Sequence, residues 1–129
     1  FSCYNRFFES KNVRVTFTGA SVCPADYPLL ITDFSSCVFD FVYLRRPVIY
    51  FMPDYELFLS GALHSYCTLD LPLEEGFGQL TRTVGELVDA LKKTAENGFQ
   101  PEQKYLDRMD AFFDCRSVPH RKLLYESFK

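Results

Sequence analysis

The run Ile31-Thr-Asp-Phe-Ser-Ser-Cys-Val-Phe-Asp-Phe41, with Arg45-Arg-Pro-Val-Ile-Tyr-Phe51 after it, constrains this chain more than any other part. Leu29–Thr32 is a short apolar stretch that stops at Asp33, the pattern of a parallel strand buried on both faces. Phe34–Leu44 carries Val38, Phe41 and Val42 at i, i+3 and i+4, the spacing of a helix that turns one face to a sheet. Asp33 or Ser35 stands where a cap belongs. Arg45 and Arg46 fall in or just after the last turn, where cations suit the helix dipole, and Pro47 stops the helix. Val48–Met52 is a second buried strand, ended by Pro53. Short links between strand, helix and strand imply a right-handed βαβ unit.

The turn between the first strand and the helix is where chemistry is expected. The first N–H groups of a helix have no partner inside it, and the helix dipole favours an anion there. Ligands of open α/β sheets sit at the carboxyl ends of the strands. Ser35 and Ser36 occupy that place, so their hydroxyls and N–H groups are candidates for holding phosphate oxygens. The plainer reading leaves Ser35 as a helix cap and Ser36 without a role. Asp40 follows Ser36 by four residues and projects from the same helix face. Its carboxylate suits the two ribose hydroxyls of a nucleotide, or else is a solvated acid on the helix surface, with Arg45 and Arg46 as candidate ion-pair partners. Asp33 reads as structural, its side chain holding the loop as an Asx turn.

Elsewhere the pattern is plainer. Val13–Phe17 alternates as a strand, and Thr18–Asp26 is a loop with room for one helical turn. Tyr55–Phe58 reads as a helical turn, Leu69–Leu73 as a short strand, and Glu74–Gly78 as a turn-rich loop whose two glycines are weak candidates for a cleft lining. Thr83-Val-Gly-Glu86 has the form of a capping box, with Val84, Leu87, Val88 and Leu91 at helical spacing and Asn97-Gly98 as the stop. Pro101 opens a segment with Tyr105, Met109, Phe112 and Phe113 on one face, and a last amphipathic piece begins near Pro119. The expectation is an α/β fold: one small parallel sheet with C-terminal helices, in a single domain over residues 1–129.

Composition narrows the function. The 129 residues are 47% hydrophobic, enough for a packed core, and the net charge of −3 argues against a general nucleic-acid binder. The five cysteines are scattered without a CxxC pair, which reads as free thiols rather than zinc ligands or disulfides. No run of about 18 apolar residues offers a membrane span. His64 and His120 lie in no metal pattern, and neither has an implied nucleophile partner. No catalytic residue, metal site or cofactor is expected. The chain opens on Phe1 rather than Met, which reads as a piece of a longer protein.

Leu30–Phe41 with Arg46-Pro-Val-Ile-Tyr-Phe51 resembles the "LITDYSSxxFDF…RPIIFY" signature of the CDP-glycerol glycerophosphotransferases, the polymerases and primases of teichoic acid and related capsular polymers. Asp54-Tyr-Glu-Leu-Phe58 is similar to the family's "DLExY" segment, and Glu74–Leu87 to its "EEAPGPIVKTTEEL". About residues 13–128 can be laid against the family's C-terminal end. The resemblance implies the C-terminal, donor-binding part of a GT-B transferase with two Rossmann-like domains. By position, Ser35 and Ser36 would touch the diphosphate of a CDP-activated polyol, and Asp40 its ribose. The family's upstream His-Pro motif and N-terminal domain do not occur in these residues, so the piece is expected to need that domain as its partner and to be inactive alone. The resemblance places the parent in the cytoplasm, at the inner face of the membrane. Two other readings stay open: the donor half of another GT-B enzyme using a UDP- or GDP-sugar, and a non-catalytic α/β interaction domain.

Overall fold

The computed structural model describes residues 23–62, 68–69, 71–113 and 125–127. Three strands pair in parallel, side by side: Leu30–Thr32 (β1), Val48–Phe51 (β2) and Gly78–Thr81 (β3), in the order β1-β2-β3. Leu30 lies opposite Val48 and Val48 opposite Gly78, so the carboxyl ends of all three strands open on one edge. The helix Val38–Tyr43 (α1) joins β1 to β2. Tyr55–Leu59 (α2) follows β2, Val84–Glu96 (α3) follows β3, and Gln103–Phe112 (α4) comes last. The fold is α/β, a partial Rossmann-like domain built on a small open sheet.

β2 is the centre. Val48, Ile49 and Tyr50 are buried, as parallel neighbours on both sides and helices on the faces require. Val38, Phe41 and Val42 of α1 are buried, as their spacing predicts. They share a core with Val48, Tyr50, Met52, Tyr55, Phe58, Leu73, Phe77 and Met109. α3 packs on β2 and β3, with Ala90 as its buried residue. Thr83 and Glu86 form the expected capping box: Thr83 Oγ1 accepts from the Glu86 N–H at 3.2 Å and Glu86 Oε2 accepts from the Thr83 N–H at 3.3 Å. Gly98, at φ +62°, ends that helix region in the left-handed conformation that glycine adopts without penalty.

Several expectations need correction. The helix forecast over Phe34–Leu44 begins only at Val38, and neither Asp33 nor Ser35 caps it. Asp33 instead binds the N–H of Ser35 at 2.9 Å, while the Phe34 ring turns inward onto Phe58 with centroids 5.0 Å apart. Those two contacts hold residues 33–35 in a turn. β1 is not buried on both faces: Ile31 is 44% exposed, and α3 packs chiefly on β2 and β3. Leu69–Leu73 forms no strand. Leu69 and Leu71 pack on the core, and Pro72 precedes a single 3-10 turn, Leu73–Glu75. The third strand, Gly78–Thr81, lies where a loop was expected to run into a helix. On α3, Val84 and Val88 are exposed despite their helical spacing; the small Ala90 makes the close approach. The loop before β1 does hold one helical turn, Pro24–Asp26. Val13–Phe17 lies outside the described residues, as does the piece beginning near Pro119 apart from residues 125–127.

Two glycines decide how β3 seats. A Cβ on Gly78 would clash with the carbonyl oxygen of Val48 and come within 2.6 Å of its carbonyl carbon, both backbone atoms that cannot step aside. A Cβ on Gly76 would press on the Tyr50 ring at 2.9 Å. Arg108 of α4 fastens this segment from outside, donating from one Nη to the carbonyls of Glu74 (3.1 Å) and Gly76 (2.7 Å). Thr81 Oγ1, fully buried, donates to the Tyr50 carbonyl at 2.7 Å.

Gly78→Ala is expected to destabilise the chain by about 1–3 kcal/mol through overpacking. Gly85→Ala, whose new methyl meets only Thr83 Oγ1 at 3.9 Å, is expected to stabilise by about 0.5–1 kcal/mol. Paired urea titrations of the two variants check both signs. Arg108→Gln loses a charged donor to two carbonyls and is expected to lower stability by about 1.5–3 kcal/mol in the same titration.

Candidate functional site

The shared edge at the carboxyl ends of the strands is where an open parallel sheet takes its ligands. β1 delivers Asp33 to that edge, followed by the serine turn. Asp33 Oδ1 accepts from the Ser35 N–H at 2.9 Å and lies 3.5 Å from the Thr32 hydroxyl, the structural Asx role that its sequence position suggests. The carbonyl of Ser35 accepts from Val38 N–H at 3.2 Å, and that of Ser36 from Phe39 N–H at 3.1 Å. Ser35, Ser36 and Cys37 therefore form the tight turn that leads into α1. Both serines are exposed, and among the described residues neither hydroxyl has a hydrogen-bond partner. Cys37 stands at the cap position with helical dihedrals, φ −58° and ψ −16°, and makes no side-chain cap.

Asp40 sits on the exposed side of α1. The alternative pairing with Arg45 or Arg46 does not form. Arg45, held at φ +54°, pairs with Asp110 of α4 at 3.3 Å, and Arg46 donates to the Ala25 carbonyl at 3.5 Å. Asp40 is thus left with an uncommitted carboxylate among the described residues, one helical turn along from Ser36.

A second group of polar residues at the same edge is not singled out by sequence patterning. Arg82 follows β3 directly. Its guanidinium meets Glu56 Oε1 at 2.7 Å and Glu74 Oε1 at 3.8 Å, and lies 5.2 Å from the centroid of the Tyr55 ring. Tyr55 donates its hydroxyl to Glu74 Oε2 at 2.9 Å. Burial pushes the Tyr55 hydroxyl above the usual phenol range, and the hydrogen bond to Glu74 pushes it further in the same direction. The backbone N–H of Arg82 donates to Glu86 Oε2 at 2.6 Å, so the residue is held at both its main chain and its side chain. The sequence signal for this group was an arginine at a strand end, invisible while β3 itself read as a loop.

The glycines of the Glu74–Gly78 segment do not line a cleft: Gly76 and Gly78 are buried against β2. Tyr50, beside Gly76, is buried, accepts from the Phe77 N–H at 3.4 Å, and has its hydroxyl raised by desolvation. Cys23 and Cys37 are free, exposed thiols. His64, His120 and the other three cysteines lie outside the described residues. Among the described residues no group of His, Cys, Asp and Glu is arranged to hold a metal ion, and no helix is long and apolar enough to cross a membrane.

Comparison with known proteins places this edge in a family context. The family model for CDP-glycerol:poly(glycerophosphate) glycerophosphotransferase matches residues 20–125. The chain is 31% identical over 126 residues, 98% of its length, to the minor teichoic acid biosynthesis protein GgaB of Bacillus subtilis, of which it spans 12%. It is 34% identical over 86 residues, 67% of its length, to a teichoic acid poly(glycerol phosphate) polymerase of the same organism, spanning 11% of that protein. A polymerase of the same name from Bacillus spizizenii is 33% identical over 66 residues, half of this chain and 16% of that protein. No solved structure matches. The matched stretch contains β1, the serine turn, α1, all of the sheet and the arginine cluster, and on that ground the chain belongs to the CDP-glycerol:poly(glycerophosphate) glycerophosphotransferase family.

Proposed function

We propose that this chain is the donor-binding part of a glycerophosphotransferase, and that Ser35 and Ser36 contact the diphosphate of a CDP-activated polyol. The reading rests on one observation above the others. The stretch that carries the family signature is also the stretch where two exposed hydroxyls, without a partner among the described residues, follow the carboxyl end of a parallel strand. Hydroxyls suit phosphate oxygens, and exposure leaves those of Ser35 and Ser36 open to a ligand, while the Ser35 N–H is taken by Asp33. Asp40, one turn further on and without a partner among the described residues, takes the ribose hydroxyls in this reading.

In the whole enzyme an acceptor hydroxyl attacks the β-phosphorus of the donor. The bond between that phosphorus and the bridging oxygen breaks, and CMP leaves. This part of the protein contributes position and charge stabilisation, which carry most of the catalysis of phosphoryl transfer. No residue of this chain is assigned as the base that takes the acceptor's proton. The N-terminal domain of the parent chain supplies the remainder of the cleft, and the isolated chain is inactive. The parent works on the cytoplasmic side, at the membrane surface where its polymer grows.

Titration of the chain with CDP, UDP and GDP, followed by NMR shifts, is expected to give the tightest response with CDP, centred on residues 32–40. Ser36→Ala is expected to weaken CDP about tenfold, a loss in the range of one to two charge-assisted hydrogen bonds. Asp40→Asn is expected to weaken CDP severalfold while leaving inorganic pyrophosphate, which has no ribose, unaffected. A preference for UDP or GDP, or shifts confined to residues away from this turn, would overturn the assignment.

A further inference from the structure

The donor reading leaves the far side of the same edge without a task. Arg82 stands there, and its setting is unusual for a surface arginine. The other Lys and Arg of the described residues lie elsewhere: Arg45 and Arg46 precede β2 at the opposite edge, Lys92 and Lys93 lie in the third turn of α3, and Lys104 and Arg108 belong to α4. Arg82 alone among them follows the carboxyl end of a strand. The serine turn and Arg82 flank β2 from either side, two inter-strand steps or roughly 10 Å apart at the level of the backbone.

The two sides are also tied together beneath the edge. Phe34, the residue before Ser35, packs its ring on Phe58 at 5.0 Å. Phe58 stacks on Tyr55 at 6.4 Å with planes 8° apart, and Tyr55 lies under the Arg82 guanidinium. An unbroken row of side chains thus runs from the serines to the arginine. The Arg82 side chain at its end keeps 44% of its surface in solvent. Its short contact is to Glu56, itself 73% exposed; the Glu74 contact is long at 3.8 Å. An ion pair that open contributes little to stability, so exchanging it for another anion is not opposed by the fold.

We infer that Arg82 is a phosphate-contacting residue of this edge, released from Glu56 when an anionic phosphate of the substrate arrives. Guanidinium is the side chain best matched to phosphate, offering parallel N–H donors that stay charged at any working pH. Without a ligand the guanidinium rests on Glu56, with Glu74 as a second, longer contact. The phosphate belongs to the nucleotide-activated donor or to the phosphodiester of a polymer acceptor; both present the same oxygens. The inference rests on the donor reading above for the identity of the edge, and its test separates the two.

The 129-residue chain and its Arg82→Gln, Arg82→Lys, Glu56→Gln and Ser36→Ala variants are titrated with CDP-glycerol and with a glycerol phosphate oligomer, and each thermal midpoint is recorded. Arg82→Gln is expected to weaken CDP-glycerol at least fivefold, Arg82→Lys less, and Glu56→Gln is expected to tighten it by freeing the guanidinium. Weakening of the oligomer alone, with Glu56→Gln again opposite in sign, supports the inference with the acceptor as the source. Equal affinities for wild type and Arg82→Gln overturn it, and the donor reading survives if Ser36→Ala still weakens CDP-glycerol. Parallel losses in Arg82→Gln and Glu56→Gln with lowered midpoints mark a merely structural pair and overturn it too. A wild-type chain that binds neither probe at millimolar concentration removes both readings together.

Discussion

Gly78 and Val48 touch backbone to backbone, and the arrangement of the sheet depends on that contact. With no side chain at Gly78, β3 slides against β2 in the register that puts Thr81 opposite Phe51. Thr81 then hides its hydroxyl on the Tyr50 carbonyl, and Arg82 emerges at the level where β2 has ended. The neighbouring Gly76 makes room for the Tyr50 ring on the core face. A Cβ at Gly78 would meet the Val48 carbonyl and force β3 away from β2. The electrostatic features of the edge are therefore consequences of a steric one.

Much of the first half of the described fold was legible in the sequence because its signals are local. Val38, Phe41 and Val42 repeat at helical spacing beside a proline stop, and the structure buries all three. The Thr83–Glu86 capping box is likewise a short-range pattern and forms as written. β3 was not legible. Gly78-Gln79-Leu80-Thr81 contains a glycine and a glutamine where strands are usually β-branched or aromatic, and only its neighbour β2 makes it a strand. The start of α1 was misplaced for a related reason. Serine and aspartate before an apolar run favour a helix start, but Phe34 is drawn inward by Phe58, a residue 24 positions later. Long-range packing overrode local propensity in both cases.

The site divides in the same way. Ser35, Ser36 and Asp40, the residues proposed for the donor, could be picked out as candidates from spacing, and the structure leaves all three exposed. Asp33 could be named as a turn holder and is one. The Tyr55–Glu56–Glu74–Arg82 group could not be named, because its members come from α2, the 3-10 turn and the end of β3. Their meeting depends on a strand that the sequence did not reveal. Arg45 and Arg46 show the converse: their places in the chain invite a pairing with Asp40, while Asp110 and the Ala25 carbonyl take them.

The ring row from Phe34 through Phe58 to Tyr55 gives the edge a mechanical property. Phe58 is wholly buried and touches both the residue beside the serines and the residue beneath the arginine. The two flanks therefore share a keel rather than hanging from separate loops, and a displacement at one is passed to the other through close-packed carbon, which transmits strain instead of absorbing it. The spacing between the two flanks is therefore set by the packing around Phe58.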